Sequence, residues 1–329
     1  MKRIVVIVCA LASGCAGLNP QLVDASVQKP SNVAVYFTVD TARGDPVPGL
    51  TAEQFHIYED GKIVSPFESK QTILNPEVAA MHYTLLLVDL SGSVTQSGSL
   101  PALDEAASKF TERVGKFQQT AIYGFDGRAE IFPIRGFSSG GGRANLGSFH
   151  SKDPSTNLYG AVVQGIKVLQ KQMDHSPVPL RFGTLVVFTD GTDHAHRVSP
   201  SDMHQALGSL DQQMFDVFVI GVGAEIDERE LKDIGRDGAA LSKDPGAVGA
   251  QFEQIAARIE GFSKRYYLLS YCTPSRMGEH EVTIEPFTAD GKKGTLSYRF
   301  NADGFAYNNC DPNRRPNFDL HHPKQKKAE

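Results

Sequence analysis

The chain has no block of basic residues before its C-terminal tail, and its formal net charge at pH 7 is −5. That absence argues against a nucleic-acid partner, since nucleic-acid-binding domains carry clustered Lys and Arg. After the N-terminal segment there is no apolar run long enough to cross a bilayer, so the rest of the chain is predicted to be soluble. Gly221-Val222-Gly223 lacks the third glycine of a dinucleotide-binding fingerprint, and there is no P-loop lysine motif.

The N-terminal segment has the order of an export signal. Lys2 and Arg3 form a basic start, residues 4–11 form an apolar core too short to span a membrane, and the small residues 12–14 precede Cys15. A cysteine directly after small residues resembles the signal of bacterial lipoproteins. In those proteins the cysteine is acylated and becomes the first residue of the mature chain, so the resemblance implies lipidation of Cys15.

The lipoprotein resemblance also predicts a location. It implies removal of a signal peptide at residues 1–14 and stable attachment through more than one acyl chain. Ala16 follows the cysteine. In lipoproteins of Gram-negative bacteria an aspartate there would signal retention in the inner membrane, so the resemblance implies the outer membrane. We therefore expect a cell-envelope protein that contacts the membrane only through its lipid anchor. An ordinary export signal cleaved near Gly14 or Gly17 is the alternative.

Cysteines are scarce in this chain, which has four, and Cys9 and Cys15 belong to the signal segment. Only Cys272 and Cys310 remain for the folded part. An exported chain meets oxidising conditions, so these two are predicted to form a disulfide. Two separate buried thiols are the alternative.

Beyond the signal, the character of the chain changes several times. Residues 15–32 are rich in Asn, Gln, Pro and Ser without periodicity and are predicted to be a tether. Residues 33–78 and 263–310 contain β-branched and aromatic runs between Gly- or Pro-containing turns, which is typical of β segments. Residues 80–262 alternate strands with helices, and the polar, proline-containing residues 311–329 are predicted to be a disordered tail.

The alternating region is predicted to be an α/β domain. The apolar runs at 83–88, 185–188 and 217–220 are continuous, as expected of strands buried on both faces. Apolar residues at helical spacing follow Ser99 and begin again at Leu158. Strands that alternate with helices imply right-handed crossovers and a doubly wound, mostly parallel, Rossmann-like sheet. Such sheets bind ligands outside the carboxyl ends of their strands.

Three short segments supply side-chain oxygens at that edge. Asp89 and Asp190 each follow an apolar strand, Ser91 and Ser93 lie in the loop after the first of these strands, and Thr156 precedes a helix that it could also cap. Two carboxylates side by side are costly unless a cation lies near them. Carboxylates, hydroxyls and waters suit Mg²⁺, and also suit Mn²⁺ or Ca²⁺ to some extent.

These five residues, in this order and in this strand and helix context, resemble the metal-ion-dependent adhesion site of a von Willebrand factor type A domain, over about residues 82–262. The resemblance implies Ser91, Ser93 and Thr156 as direct metal ligands. It implies that Asp89 and Asp190 bind the ion directly or through water. It further implies a six-stranded sheet with one short antiparallel strand, and flanking β segments that form a small sandwich.

The leading hypothesis is metal-dependent protein binding, for adhesion or complex assembly. The ion adds a strong positive charge to an acidic protein, so an acidic side chain of a protein partner can complete the metal shell. A scaffold whose metal only stabilises the fold is a third hypothesis, after the hydrolase considered below. The sequence contains no complete catalytic constellation, so the chain is not predicted to be an enzyme.

A metal-dependent or serine hydrolase of the cell envelope is the alternative function. The segment from Gly136 to Gly140 fits the nucleophile-elbow pattern around Ser138, but that motif needs a helix directly after the serine, and two further glycines disfavour one. Asp193, His194 and His196 are a weaker candidate for a second metal cluster. Solvated loop residues are the simpler interpretation of those three.

Overall fold

The computed structural model describes residues 17–307 and 309–318. In chain order its strands are β1 (Leu18–Gln28), β2 (Asn32–Thr41), β3 (Phe55–Glu59), β4 (Lys62–Ile63), β5 (Thr72–Leu74), β6 (Ala80–Asp89), β7 (Gln119–Phe125), β8 (Phe132–Ser138), β9 (Leu180–Thr189), β10 (Phe215–Val222), β11 (Gly238–Ser242), β12 (Tyr266–Cys272), β13 (Glu279–Pro286) and β14 (Leu296–Asn301). Its helices are α1 (Gly92–Gln96), α2 (Leu100–Val114), α3 (Leu158–Asp174), α4 (Pro200–Gly208), α5 (Glu228–Ile234) and α6 (Val248–Ser263). The predicted signal peptide and Cys15 lie outside the described residues.

The described residues divide into two compact units. The β unit comprises residues 17–74 and 265–314, without residue 308, and the α/β unit comprises residues 75–264 with 315–318. In sequence, residues 75–264 of the α/β unit are therefore an insertion between the two halves of the β unit, and residues 315–318 follow the second half.

The α/β unit is built on a six-stranded sheet with the order β11-β10-β9-β6-β7-β8. Neighbouring strands are parallel except β8, which runs antiparallel to β7. β6 pairs with β7, which follows it in the chain, and with β9 on its other side. From β6 the next strands, β7 and β8, are added on one side of the sheet, and the later strands, β9 to β11, are added on the other side. Open α/β sheets bind ligands at such a reversal of strand order. The predicted doubly wound, mostly parallel α/β fold is confirmed.

Helices cover both faces of this sheet. Residues 85–88 of β6 are fully buried, and their side chains alternate between the two faces. Leu86 and Val88 belong to the apolar core that includes residues of α2 and α6. Leu85 and Leu87 belong to the core that includes residues of α3, α4 and α5. Burial on both sides fixes the position of the strand end that follows, at Asp89.

The β unit consists of two four-stranded antiparallel sheets with the orders β1-β2-β12-β5 and β14-β13-β3-β4. Alternating residues from both sheets contribute to one apolar core. Within this core, the centroid of the Phe55 ring lies 5.6 Å from the centroid of the Phe37 ring and 5.4 Å from that of the Tyr267 ring. The two segments that flank the α/β unit in sequence thus form one antiparallel sandwich.

The prediction of a tether over residues 15–32 is wrong for residues 18–28, which form β1. β1 pairs antiparallel with β2 along its length, from Leu18 opposite Thr41 to Gln28 opposite Asn32. It is an edge strand in which a few core residues alternate with polar ones, so its low hydrophobicity resembles that of a linker. Pro20 is compatible with this position because an edge strand pairs on one side only.

The prediction of a disordered tail over residues 311–329 is wrong at its start. Arg314 donates a backbone hydrogen bond to the oxygen of Asp311 (3.1 Å), and its Nη1 donates to the oxygen of Lys29 (2.7 Å). Phe318 is buried, with 4% of its surface exposed. Only a few residues make these contacts, namely Arg314 by hydrogen bonding and Phe318 by burial. The composition of the whole segment therefore still resembles that of a disordered tail. Residues 319–329 lie outside the described residues.

A disulfide joins Cys272, the last residue of β12, to Cys310, with an Sγ–Sγ distance of 2.01 Å. It links the end of a central strand of the sandwich to the chain that follows β14. Within the described residues, no helix combines the length and the apolar character needed to cross a membrane.

Candidate metal centre

Asp89 ends β6, and its side chain is fully buried. Its Oδ1 accepts a hydrogen bond from the backbone N–H of Ser91 (2.9 Å), and its Oδ2 accepts one from the hydroxyl of Thr189 (2.8 Å). Both donors are uncharged, so they orient the carboxylate without neutralising it. Burial, followed by the negative charge of Asp190, raises the pKa of Asp89 from its ordinary range to about 7.

A relay of hydroxyls connects the first segment to Asp190. The Oγ atoms of Ser91 and Ser93 lie 3.2 Å apart, and the Ser93 hydroxyl donates to Asp190 Oδ1 at 2.9 Å. Asp190 directly follows β9, which is paired with β6. Burial raises the pKa of Asp190, and the hydrogen bond from Ser93 offsets part of that rise. The two aspartates therefore come from neighbouring strand ends, as parallel pairing requires.

Thr156 lies directly before the cap of α3 and is 4% exposed. The interpretation of Thr156 as the helix cap is wrong, because Asn157 has that role. Asn157 Oδ1 accepts from the backbone N–H of Gly160 (3.2 Å), and its Nδ2 donates to the oxygen of Arg128 (2.8 Å). An N-cap side chain bonds to the third helical N–H, which is the position that Gly160 occupies.

Backbone hydrogen bonds join the three segments in pairs. Gly92 N–H donates to the oxygen of Pro154 (2.8 Å), which links the first segment to the second. The N–H groups of His194 and Ala195 both donate to the oxygen of Thr156 (2.9 Å each), which links the second segment to the third. A Cβ atom at position 92 would lie 2.9 Å from Pro154 Cβ, so only glycine permits this approach without displacement.

A sixth residue, Asp126, supports the site although the sequence analysis did not select it. Asp126 directly follows β7 and is fully buried. Its carboxylate accepts from Arg128 N–H and Nε (2.9 Å each), from Lys152 N–H (3.0 Å) and from the Ser151 hydroxyl (3.3 Å). Burial acts to raise its pKa, but the hydrogen bonds from Arg128 and Lys152 hold the pKa below its ordinary range.

The effect of Asp126 is to position the loop that carries Thr156. Besides the bonds to residues 151 and 152, its backbone oxygen accepts from the N–H of Asn157 (3.1 Å). One aspartate thus holds both ends of the loop. The sequence carries one signal for this role, since Asp126, like Asp190, directly follows a strand that ends at the same edge of the sheet. An Asp-Gly pair between two strands is also typical of a simple hairpin turn, which obscures that signal.

The candidate metal ligands fit a hard divalent cation. All five side chains offer oxygen atoms, and two of them are the carboxylates of Asp89 and Asp190 at adjacent strand ends. The Asp89 carboxylate is fully buried, and the two groups that donate hydrogen bonds to it, Ser91 N–H and the Thr189 hydroxyl, carry no charge. Such a pair is unfavourable when both members are ionised, and a divalent cation coordinated by both would remove the repulsion.

The other candidates from the sequence have structural roles. Ser138 is the last residue of β8, and its strand position differs from the strand-to-helix turn of a nucleophile elbow. The carboxylate of Asp193 accepts from the backbone N–H groups of Tyr159 (3.1 Å) and His196 (2.9 Å) and so fixes its loop. In residues 17–307 and 309–318, no group of three or more His, Cys, Asp or Glu side chains is placed to hold a metal ion.

Comparison with known families and structures gives a consistent type of match. A family model described as von Willebrand factor type A domain matches residues 85–254. Among solved structures, a von Willebrand factor type A protein from Catenulispora acidiphila is 12% identical with a TM-score of 0.45, over 87% of this chain and 73% of the other. Manganese-loaded TRAP protein of Plasmodium vivax is 12% identical with a TM-score of 0.42, over 75% of this chain and 98% of the other.

A third structure is proximal thread matrix protein 1 from the mussel byssus, with a zinc-occupied MIDAS motif. It is 15% identical with a TM-score of 0.41, over 62% of this chain, which spans about half (49%) of the mussel protein. No curated protein matches the chain at a significant level.

Proposed function

Because the chain belongs to the von Willebrand factor type A domain family, we propose that it is a metal-dependent protein-binding module. Asp89, Ser91, Ser93, Thr156 and Asp190 would hold one divalent cation. Mg²⁺ is the ion we propose, with Mn²⁺ and Ca²⁺ as the ions to compare. When bound, the ion would supply a concentrated positive charge with a coordination position for an acidic side chain of the partner.

One observation carries this proposal: the Ser93 hydroxyl donates to Asp190 Oδ1 while lying 3.2 Å from Ser91 Oγ. Residues 97 positions apart in sequence are thereby in direct contact at the switch point of the sheet. The backbone bonds from Gly92 to Pro154 and from His194 to Thr156 hold the loops in this arrangement. These bonds are made by the chain itself, and they support the proposal because loops that are already held together would lose less entropy on binding an ion.

We also propose that the module is anchored in the bacterial cell envelope, in the outer membrane, through acyl chains on Cys15. The sequence of residues 1–16 supports this proposal. An envelope location would place the metal site outside the cytoplasm, where it can meet other exported proteins. Mass spectrometry of the mature protein from a bacterial host would test the anchor, with an acylated Cys15 as the expected N-terminus.

Replacing Ser93 with alanine is expected to weaken divalent-cation binding at least tenfold, with little change in the stability of the metal-free protein. The hydroxyl is exposed and proposed to be a ligand, whereas exposed substitutions usually change stability by less than about 0.5 kcal/mol. Titration calorimetry with Mg²⁺, Mn²⁺ and Ca²⁺ measures the affinity. Ser97→Ala is a matched control, because Ser97 is also exposed but donates to the oxygen of Val94 (2.9 Å). Equal affinities for Ser93→Ala and wild type would contradict the ligand assignment.

Partner binding is tested by pull-down from envelope extract with and without EDTA. Partners of the metal site should be retained by wild type in Mg²⁺, lost on addition of EDTA, and lost in Ser93→Ala. Retention in EDTA would argue against a metal-completing carboxylate. A scaffold role would instead leave partner binding intact in Ser93→Ala.

A further inference from the structure

The β unit carries a cleft that the metal site does not use. Its volume is about 630 Å³, and it is lined by the turn after β4, the residues after β12 and the Cys272–Cys310 disulfide. Ligand pockets commonly enclose ~300–1,000 Å³. We propose that this cleft binds an apolar, carboxylate-bearing segment of a protein partner, with Arg276 as the carboxylate-binding residue. This interaction needs no metal and is additional to the proposed function.

The guanidinium of Arg276 is held in place by backbone carbonyls and by an aromatic ring. Its Nη1 donates to the oxygens of Thr273 (2.6 Å) and Ser275 (2.7 Å), and its carbon lies 4.3 Å from the centroid of the Tyr307 ring. Among the described residues neither Nε nor Nη2 has an acceptor, and Nε is buried. The edge that carries Nε and Nη2 has the geometry that pairs with the two oxygens of a carboxylate. Because Nε is buried, a carboxylate would contact Nη2 first and would reach Nε only after neighbouring side chains move.

The unmatched Nε is unfavourable in the free protein, because a buried N–H without an acceptor has lost its hydrogen bond to water without a replacement. A carboxylate that bonds to Nε would supply that replacement. The cation–π contact with Tyr307 and the two carbonyl acceptors hold the guanidinium in place, so little side-chain entropy is lost on binding. Arg276 is thus organised for a planar anion.

The charges lining the cleft also favour an anion. Lys62 and Lys70 are exposed. Of the acidic residues, Glu59 is buried and accepts from three hydroxyls at 2.8 Å each, and Asp60 is paired with a histidine at 2.7 Å. Glu68 is exposed. With Arg276, three cations line the cleft against two exposed carboxylates, Asp60 and Glu68, and Asp60 is already paired with a histidine. The accessible charge is therefore weakly positive, which complements an acidic segment.

Large exposed apolar side chains indicate that the bound segment is also apolar. Ile63 and Tyr307 line the cleft and are 62% and 81% exposed. Phe67 and Met277, which are 92% and 74% exposed, are sequence neighbours of lining residues. Exposed apolar groups rimmed by charges are typical of protein-interaction sites.

The position of the cleft favours a protein over a lipid surface. β1 begins at Leu18, three residues after the proposed lipid anchor, and ends at Gln28. Ser31, just beyond that end, lines the cleft. Eleven strand residues span roughly 35 Å. An anchor at Cys15 would therefore hold the membrane at the opposite end of this strand from the cleft.

The test uses the full-length protein in EDTA and a panel of fluorescent ten-residue peptides in matched pairs, with central Phe-Glu-Leu or Phe-Gln-Leu at varied flanking sequence. We expect glutamate peptides to bind at least tenfold more tightly than their glutamine partners in fluorescence anisotropy. Arg276→Gln should abolish the difference, and Arg276→Lys should restore only part of it, since an ammonium lacks the fork. Because EDTA leaves the metal site empty, a glutamate preference under these conditions does not come from a carboxylate bound to the metal, which separates this site from the metal site.

Tyr307→Ala provides a second variant that does not depend on the fold tolerating a change at Arg276, because Tyr307 is exposed. It should also weaken glutamate peptides, and melting curves establish that each variant is folded. The proposal is overturned if wild type binds no peptide of the panel, if it binds both members of each pair equally, or if folded Arg276→Gln keeps the glutamate preference.

Discussion

The Asp89→Asn variant is expected to lose divalent-cation binding and, without metal at pH 8, to be more stable than wild type by on the order of 2–4 kcal/mol. Asp89 is fully buried among uncharged donors, so its ionisation in the metal-free protein is unfavourable. Asparagine has nearly the same shape, its Oδ1 can accept from Ser91 N–H, and its amide can donate to the Thr189 hydroxyl. It removes the charge that the metal needs and the charge that destabilises the empty site.

The same substitution should remove a pH dependence. Burial and the nearby charge of Asp190 raise the pKa of Asp89 to about 7 in the folded protein, from an ordinary value of 3.8. Between these values the folded state keeps a proton that the unfolded chain has lost, so unfolding releases a proton and the free energy of unfolding falls as pH rises. The contribution of protonated Asp89 is fully present below the unfolded pKa and is lost as pH rises through about 7. The raised pKa of Asp190 acts in the same direction.

Urea denaturation in EDTA from pH 5 to pH 8 measures this effect, and the difference between wild type and Asp89→Asn isolates it from other titrating groups. The stability advantage of the variant should grow with pH and level off above pH 7. Adding Mg²⁺ should raise the melting temperature of wild type more at pH 8 than at pH 6, and should leave the variant unchanged. A variant that is less stable than wild type at every pH would show that the Asp89 carboxylate is not under electrostatic strain.

The sequence is sufficient for the α/β fold because its signals are local and repeated. The apolar run at 83–88 requires burial on both faces, and a polar residue at Asp89 then has to lie at the strand end. The same reasoning applies to residues 185–188 and Asp190. Pairing of β6 with β9 brings these aspartates together. Right-handed crossovers limit the strand orders that are possible but do not by themselves specify this one.

Other features depend on tertiary context that no local pattern encodes. β1 is polar for much of its length and is a strand because β2 offers it a partner along the whole edge. The unpaired Nε of the Arg276 guanidinium depends on carbonyl groups that hold Nη1 and whose direction the sequence does not specify. Asn157, rather than Thr156, caps α3 because its side chain reaches both Gly160 and the β7–β8 turn.

Asp126 is the support residue whose loss should be most damaging, and Asp126→Ala is expected to destabilise the protein by about 3 kcal/mol or more. Removing its buried carboxylate leaves the N–H groups of Arg128 and Lys152 without their acceptor, along with the Arg128 side chain. Because these bonds hold the loop that carries Thr156, divalent-cation affinity should also fall, by roughly tenfold. Asp126→Asn should fall between wild type and alanine, since an amide oxygen can still accept from one of these donors.

A matched control separates loss of stability from loss of loop position. Asp237 is a half-buried carboxylate at the other end of the sheet, where it accepts from Val217 N–H (2.7 Å) and from Arg236 Nε (3.3 Å). Asp237→Ala should lower the midpoint of urea denaturation but leave cation affinity unchanged at temperatures well below melting. If Asp126→Ala and Asp237→Ala lower affinity equally, Asp126 acts only through global stability. If only Asp126→Ala does so, the order of the Thr156 loop sets the affinity, and the metal site includes the residue that holds its loop in place.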